Sequence, residues 1–203
     1  GEKNVTIGYN SGKLTTTGIK NVAVGSYSLD ANTEGENNVA IGQSALGANT
    51  TADDNTAMGS GALTTNTTGA ANTGIGRDAL KANTTANNNT AVGYYALVAN
   101  TTGANNQAFG TYALTLNTTG SNNTSVGYNA LGANTTAVSN TAVGFRAAQG
   151  ITTGTTNDFF GDNCATNLTT GHSNTLIGNN ITTAATTTNN ANGLGLGLTC
   201  ADN

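Results

Sequence analysis

A glycine recurs every seventeenth residue, at 8, 25, 42, 59, 76, 93, 110, 127, 144, 161, 178 and 195, with no insertion or deletion. So short a unit cannot bury its apolar side chains alone; it must stack on its neighbours, which commits the chain to a solenoid. Seventeen residues are too few for a packed pair of helices, and Thr, Asn and Gly are poor helix formers. Each unit therefore reads as two short strands and two turns, and the chain as an all-β parallel β-solenoid of twelve rungs. One repeat domain is expected over 1–203, regular from about 21 to 148 and more divergent over 149–203.

We number each rung from its glycine, position 1, to position 17. Position 17 is apolar throughout (Ile7, Val24, Ile41, Met58, Ile75, Val92, Phe109, Val126, Val143, Phe160, Ile177, Leu194) and reads as the core. Position 14 is Asn in eleven of twelve rungs, from Asn4 to Asn174, with Ala191 the exception, as expected for a stacked amide ladder at a corner. Position 4 is small, as in Ala45, Ala62 and Ala96, and position 5 is a leucine column, Leu29, Leu46, Leu63, Leu80, Leu97, Leu114 and Leu131. The rung closes on Asn-Thr-Thr-Gly or Asn-Thr-Thr-Ala. Position 16 carries Ala23, Ala40, Ala57, Ala91, Ala108 and Ala142, which strand alternation sets on the face opposite position 17. Neither face is strongly polar, which implies burial on both sides. The expected arrangement is a homo-oligomer, a trimer, closed around the Ala/Gly face of Ala40, Ala57, Ala91, Ala108 and Ala142.

Composition narrows the function classes. Only 8% of residues are charged and there is no Pro or Trp, a profile shared with disordered chains, but the periodic apolar residues and a net charge of −4 argue for folding. Six Lys plus Arg, scattered, make no basic stripe for nucleic acid, and no apolar run reaches membrane-spanning length. Cys164 and Cys200 lie 36 residues apart, two rungs and two residues. Their Cα atoms are then about 9 Å apart or more, too far for an intrachain disulfide. Cys164 reads as a small buried side chain, and Cys200 as a candidate for pairing between chains. The chain opens at Gly1 with no signal-peptide pattern, as a mature or excised segment would.

Asn38-Val39-Ala40-Ile41-Gly42 with Ala45, and Asn140-Thr141-Ala142-Val143-Gly144 with Ala147, resemble the N-S-V-A-I-G-x-x-A repeat of the head domain of trimeric autotransporter adhesins. Similar N-T-A-V-G-Y-x-A-L repeats occur in phage tail-fibre and other bacterial surface-fibre proteins. The resemblance implies a left-handed, trimeric parallel β-roll with a role in attachment, located outside the cell, on its surface or on a virion. The period here exceeds that family's usual repeat of about 14, so the extra residues enlarge the Asn-Thr-Thr corner. No stalk heptads or membrane-anchor strands are present.

Catalytic chemistry finds little purchase. His172, the only histidine, reads as a solvated turn residue, and no nucleophile, metal or cofactor motif accompanies it. Asp53 and Asp54 share a corner without any calcium-repeat pattern, and the G-L-G-L-G of residues 193–197 lacks phosphate-loop spacing. A non-enzymatic fibre or adhesive protein is therefore expected, with no cofactor. Tyr94, Tyr95, Tyr112, Tyr128 and Phe145 follow the repeat glycine by one or two residues. They either cover the leucine column or form an exposed strip for cell-surface glycans or proteins. The alternative function is ice binding by a Thr array such as Thr50-Thr51 and Thr67-Thr68, although alternation presents one Thr column per face. N-x-T sequons stand at Asn49, Asn66, Asn83, Asn88, Asn100, Asn117, Asn122 and Asn134, acceptors in a eukaryotic secretory setting and otherwise a polar ladder. Gly1 and Asn203 fall in nearly the same column, so copies are expected to stack end to end. Ala165, Thr182 and Thr199 in the leucine column could instead mark a cap or a transition.

Overall fold

The structure, a computed structural model, describes residues 2–202; the column assignments of Gly1 and Asn203 lie outside that range. Every rung contributes one short strand ending at or beside its glycine. These are β1 (Val5–Ile7), β2 (Val22–Val24), β3 (Val39–Ile41), β4 (Thr56–Met58), β5 (Thr73–Ile75), β6 (Thr90–Val92), β7 (Gln107–Phe109), β8 (Thr124–Val126), β9 (Thr141–Val143), β10 (Asp158–Phe160) and β11 (Thr175–Asn179). After β12 (Thr182–Thr183) come β13 (Asn192–Leu196) and β14 (Thr199–Cys200). β1 to β11 and β13 form one 12-stranded parallel sheet in sequence order, each residue paired with the one seventeen further on, as in Val22↔Val39 and Val39↔Thr56. The chain is an all-β parallel β-solenoid without a helix among the described residues.

The position-1 glycines explain the strict period. All twelve have φ between 129° and 151°, a region closed to side chains. A Cβ on Gly93 would also stand 2.5 Å from the carbonyl oxygen of Gly110 in the next rung. The strands therefore turn where backbones touch.

Two strands per rung were expected, but most rungs have one. The opposite side is a run of tight turns with positive φ at positions 3 and 5, for example Tyr27 at 58° and Leu29 at 51°. Left-handed residues cannot continue a strand. Where Thr182 and Thr199 take position 5, neither has a positive φ and β12 pairs with β14. The turns are nonetheless stitched to both neighbouring rungs: Tyr27 N–H donates to Tyr9 O at 2.9 Å, and Leu29 N–H to Ala45 O at 3.0 Å.

The core is the reverse of the sequence expectation. Position 16 points inward: Ala40, Ala57, Ala91, Ala108 and Ala142 are fully buried among position-4 alanines and position-5 leucines. Position 17 points outward, with Ile41 36%, Met58 40% and Val126 37% exposed. The reason is width. The leucine reaches across a thin rung from the far side and leaves room opposite it only for Ala, Gly or Ser; a Cβ on Gly74 would lie 3.4 Å from Leu63 Cγ. Later rungs make the exchange explicit. Ala148 replaces the leucine and Phe159 replaces the alanine eleven residues on, and Ala165 is matched by Leu176, all four buried. Those two rungs redistribute core volume and continue the sheet, so Ala148 and Ala165 are internal repacking, whereas Thr182 is half-buried and Thr199 exposed.

Two asparagine files run inside the solenoid. At position 14 each Oδ1 accepts the backbone N–H of the next rung's equivalent residue, as from Asn38 to Asn21 at 2.9 Å and from Asn123 to Asn106 at 3.0 Å. Its Nδ2 donates to a carbonyl of that next rung, as from Asn106 to Gly120 at 2.8 Å. The second file is position 8, Asn32 to Asn134, where each Nδ2 donates to the previous Oδ1 and to a carbonyl three residues on, as from Asn49 to Asn32 and Ala52, both at 3.0 Å. That file stops where Ile151 and Leu168 take the position, and Asn134 Oδ1 instead accepts from Ala137 N–H at 3.0 Å. Among the described residues no buried side-chain N or O lacks a partner.

Asn106→Ala leaves the Asn123 amide buried without its acceptor, a loss of about 2–4 kcal/mol from two or more hydrogen bonds. Thr102→Ala, at an exposed position, is expected to stay within about 0.5 kcal/mol. Hydrogen exchange checks this: the Asn123 amide should lose protection in the first variant only.

Candidate functional site

The outward face of the 12-stranded sheet is built from positions 15 and 17, side by side on each strand. Position 15 is Val in the first three rungs, then mostly Thr, with Gln107, Asp158 and Asn192 as departures. Position 17 forms an unbroken apolar file. Ile41, Met58, Ile75, Phe109, Val126, Phe160 and Ile177 are each 36–41% exposed, rising to 59% at Ile7 and 77% at Leu194. At a strand spacing of ~4.8 Å the file is roughly 50 Å long, which makes it the most extended apolar feature of the outward sheet face.

The same inversion overturns the proposed oligomer face. Ala40, Ala57, Ala91, Ala108 and Ala142 have 0% exposure within a single chain, so none can touch a partner. Positions 16 and 17 do alternate between faces, with 16 inward and 17 outward. The exchange between positions 5 and 16 in Ala148/Phe159 and Ala165/Leu176 is the sequence signal that identifies the inward pair.

Next to the apolar file, just past the glycine, the aromatic strip is contiguous. Tyr94 meets Tyr95 with ring centroids 4.3 Å apart and Tyr112 edge-on at 5.6 Å. Tyr112 meets Tyr128 edge-on at 6.1 Å, and Tyr128 stacks on Phe145 at 5.4 Å. Tyr94, Tyr128 and Phe145 are exposed; Tyr95 and Tyr112 are half-buried. The rings spend much of their surface on one another, so the strip is both a brace between rungs and an exposed surface. Tyr9 and Tyr27 form a separate edge-on pair at 5.5 Å. Residues 82–145 contain no charged residue, and the chain's only arginines bracket the strip, Arg77 6.0 Å from the Tyr94 ring and Arg146 5.1 Å from that of Phe145. Asp78, nearly buried, pairs with Arg77 at 3.3 Å and Lys81 at 3.2 Å. Tyr94, and then Asp78, hold the Tyr95 phenol above its ordinary pKa, and burial does the same for Tyr112, so both remain neutral near neutral pH.

The other candidates are dispersed. His172, Asp53 and Asp54 are exposed at corners, where Asp53 Oδ1 accepts the Glu36 amide at 2.7 Å. Among the described residues no three His, Cys, Asp or Glu converge to hold a metal. Cys164 and Cys200 are buried free thiols, and burial pushes that of Cys164 up to about 11. The sequon asparagines at position 8 are buried in the amide file, while Asn88 and Asn122 are exposed. The first Thr of each Asn-Thr-Thr corner donates its hydroxyl to the next rung, as from Thr101 to Thr118 O at 3.0 Å; the second is exposed. A shallow groove of about 430 Å³ between Thr115, Leu116, Gly132 and Gln149 has no ionisable lining residue. Comparison with protein-family models, curated proteins and solved structures gave no match.

The inversion gives a direct test. Ala108→Asp buries an unpaired carboxylate and is expected to unfold the rungs around it, whereas Phe109→Asp, one residue on, should leave the fold intact. Circular dichroism should show Ala108→Asp losing its β signal and cooperative transition while Phe109→Asp keeps both.

Proposed function

We propose that this chain is a non-enzymatic segment of an extracellular or surface fibre, serving attachment, whose copies associate side by side through the position 15 and 17 face. The observation that carries this reading is the exposed apolar file running the full length of the sheet. A soluble protein does not maintain such a file in water without a cover, and twelve rungs of it suit a long partner surface. The resemblance to adhesin heads and tail fibres supports three copies and a left-handed coil, with the rod extended by further rungs end to end. On this reading the bracketed strip from Tyr94 to Phe145 lies beside the association face and is available for glycan or protein contact.

The ice-binding alternative is less well supported. Position-9 hydroxyls are engaged in bonds between rungs, which leaves an exposed Thr file at position 10 and a half-buried one at position 15, the latter interrupted by Gln107 and Asp158. The outward sheet face carries Met58, Phe109 and Phe160, which project beyond a flat lattice of small groups. Thermal hysteresis at micromolar concentration would favour ice binding over the fibre.

Sedimentation decides on assembly. The wild-type chain is expected as an oligomer, and Phe109→Asp as a folded chain that associates at least thirtyfold more weakly, about the loss of one interface hot spot. A monomeric wild type would remove the reading.

A further inference from the structure

We infer that the large side chains Met58, Phe109 and Phe160 set the axial register in which copies of this chain meet. The inference rests on the proposed association through the outward face. The occupant of that face is a second copy, for three reasons. Only a partner with the same ~4.8 Å rise can match it rung by rung along its length. The face is nearly free of charge, Asp158 being the one charged residue at positions 15 and 17, so repulsion between like faces is confined to a single rung. A strip roughly 50 Å by 12 Å offers about 600 Å² per chain, close to the ~800 Å² per partner of a standard interface.

A perfect repeat creates a problem for such an association. Sliding one copy by a single rung returns almost the same face, so with uniform side chains the shifted alignments would be nearly equal in free energy. Position 17 is not uniform. Met58, Phe109 and Phe160 fall three rungs apart, and only Ile75 and Val92, then Val126 and Val143, lie between them. All three project, with 39–40% of their surface exposed. The neighbouring outward position departs from Thr on the same two Phe rungs, as Gln107 and Asp158. In register, Phe rungs meet Phe rungs, and the β-branched rungs on either side leave space for the rings to lean into. A slip of one rung sets a ring against a Val rung and leaves a void where two rings would have met, overpacking one layer and underpacking the next. A slip of three rungs, which brings Met58 against Phe109, is the nearest competitor.

The test uses full-length chains carrying single outward cysteines, Thr73→Cys or Thr90→Cys, mixed and oxidised; the native thiols are buried. With the wild-type face, disulfides between like positions should exceed Thr73-to-Thr90 disulfides by at least about tenfold, the discrimination expected from misplacing one aromatic ring. In Phe109→Val/Phe160→Val chains that ratio should fall towards one while sedimentation still shows an oligomer. A chain with the pattern moved back one rung (Val92→Phe, Phe109→Val, Val143→Phe, Phe160→Val), mixed with wild type, should cross-link with a one-rung offset. Unchanged like-position cross-linking in both variant backgrounds, with oligomers intact, overturns the register role alone. Monomers in every background overturn the association itself and the register role with it.

Discussion

Everything in this solenoid depends on each rung repeating its neighbour at the spacing of a parallel β ladder. The position-14 asparagine enforces that spacing chemically. Its side chain is held by one rung and accepts the amide and donates to a carbonyl of the next, as Asn106 does with Asn123 N–H and Gly120 O. Both bonds have good geometry only at one axial rise, and in a dry interior losing either is costly. The glycine at position 1 acts from the opposite direction by allowing backbones to come so close that no Cβ fits between rungs. An inserted residue would break both devices, which accounts for a period held without error over twelve rungs.

Thinness follows from the same geometry. With seventeen residues spent on a circuit that includes three positive-φ non-glycine corners, as at Tyr95, Leu97 and Asn105, the enclosed space holds one leucine layer and one layer of alanine. A leucine in the left-handed region is strained, by about 1 kcal/mol or more. Its full burial offsets this, since a buried leucine contributes about 1.5–3 kcal/mol. The position is therefore occupied by the residue that gains most from facing inward, and it changes to Ala148 or Ala165 only where Phe159 or Leu176 fills the space from the other side.

Period, fold class, glycine corners and the position-14 ladder were legible in the sequence, because each is a statement about one column. The inward face was not, because it depends on a relation between columns. A large apolar file beside a small one suggests that the large file is core, and that inference holds for a wide interior but fails for one this narrow. The position-8 file was missed for a similar reason: Asn66 and Asn83 sit in an Asn-Thr-Thr stretch that looks like a solvent-facing corner, yet both are fully buried. That the aromatic residues fall in adjacent rungs is plain from their spacing, but that their rings brace one another depends on side-chain angles that no spacing reveals.

The pattern of variation inside the chain separates what the monomer needs from what lies beyond it. Inward positions trade freely: Leu131 becomes Ala148, Ala142 becomes Phe159, and Asn134 becomes Ile151, each change balanced by another within the same few rungs. Position 17 contributes no fully buried residue to the chain's own core, so nothing in the isolated fold prevents Thr, Ser or Lys from standing there. Yet all twelve of its residues are apolar, and their sizes do not track the inward ones, Phe109 standing beside Ala108 and Phe160 beside Phe159. The isolated chain gives no account of that uniformity, because an exposed strand face is more soluble when polar. The proposed association would account for it, with the size differences along the file fitted to what lies on the far side of the contact.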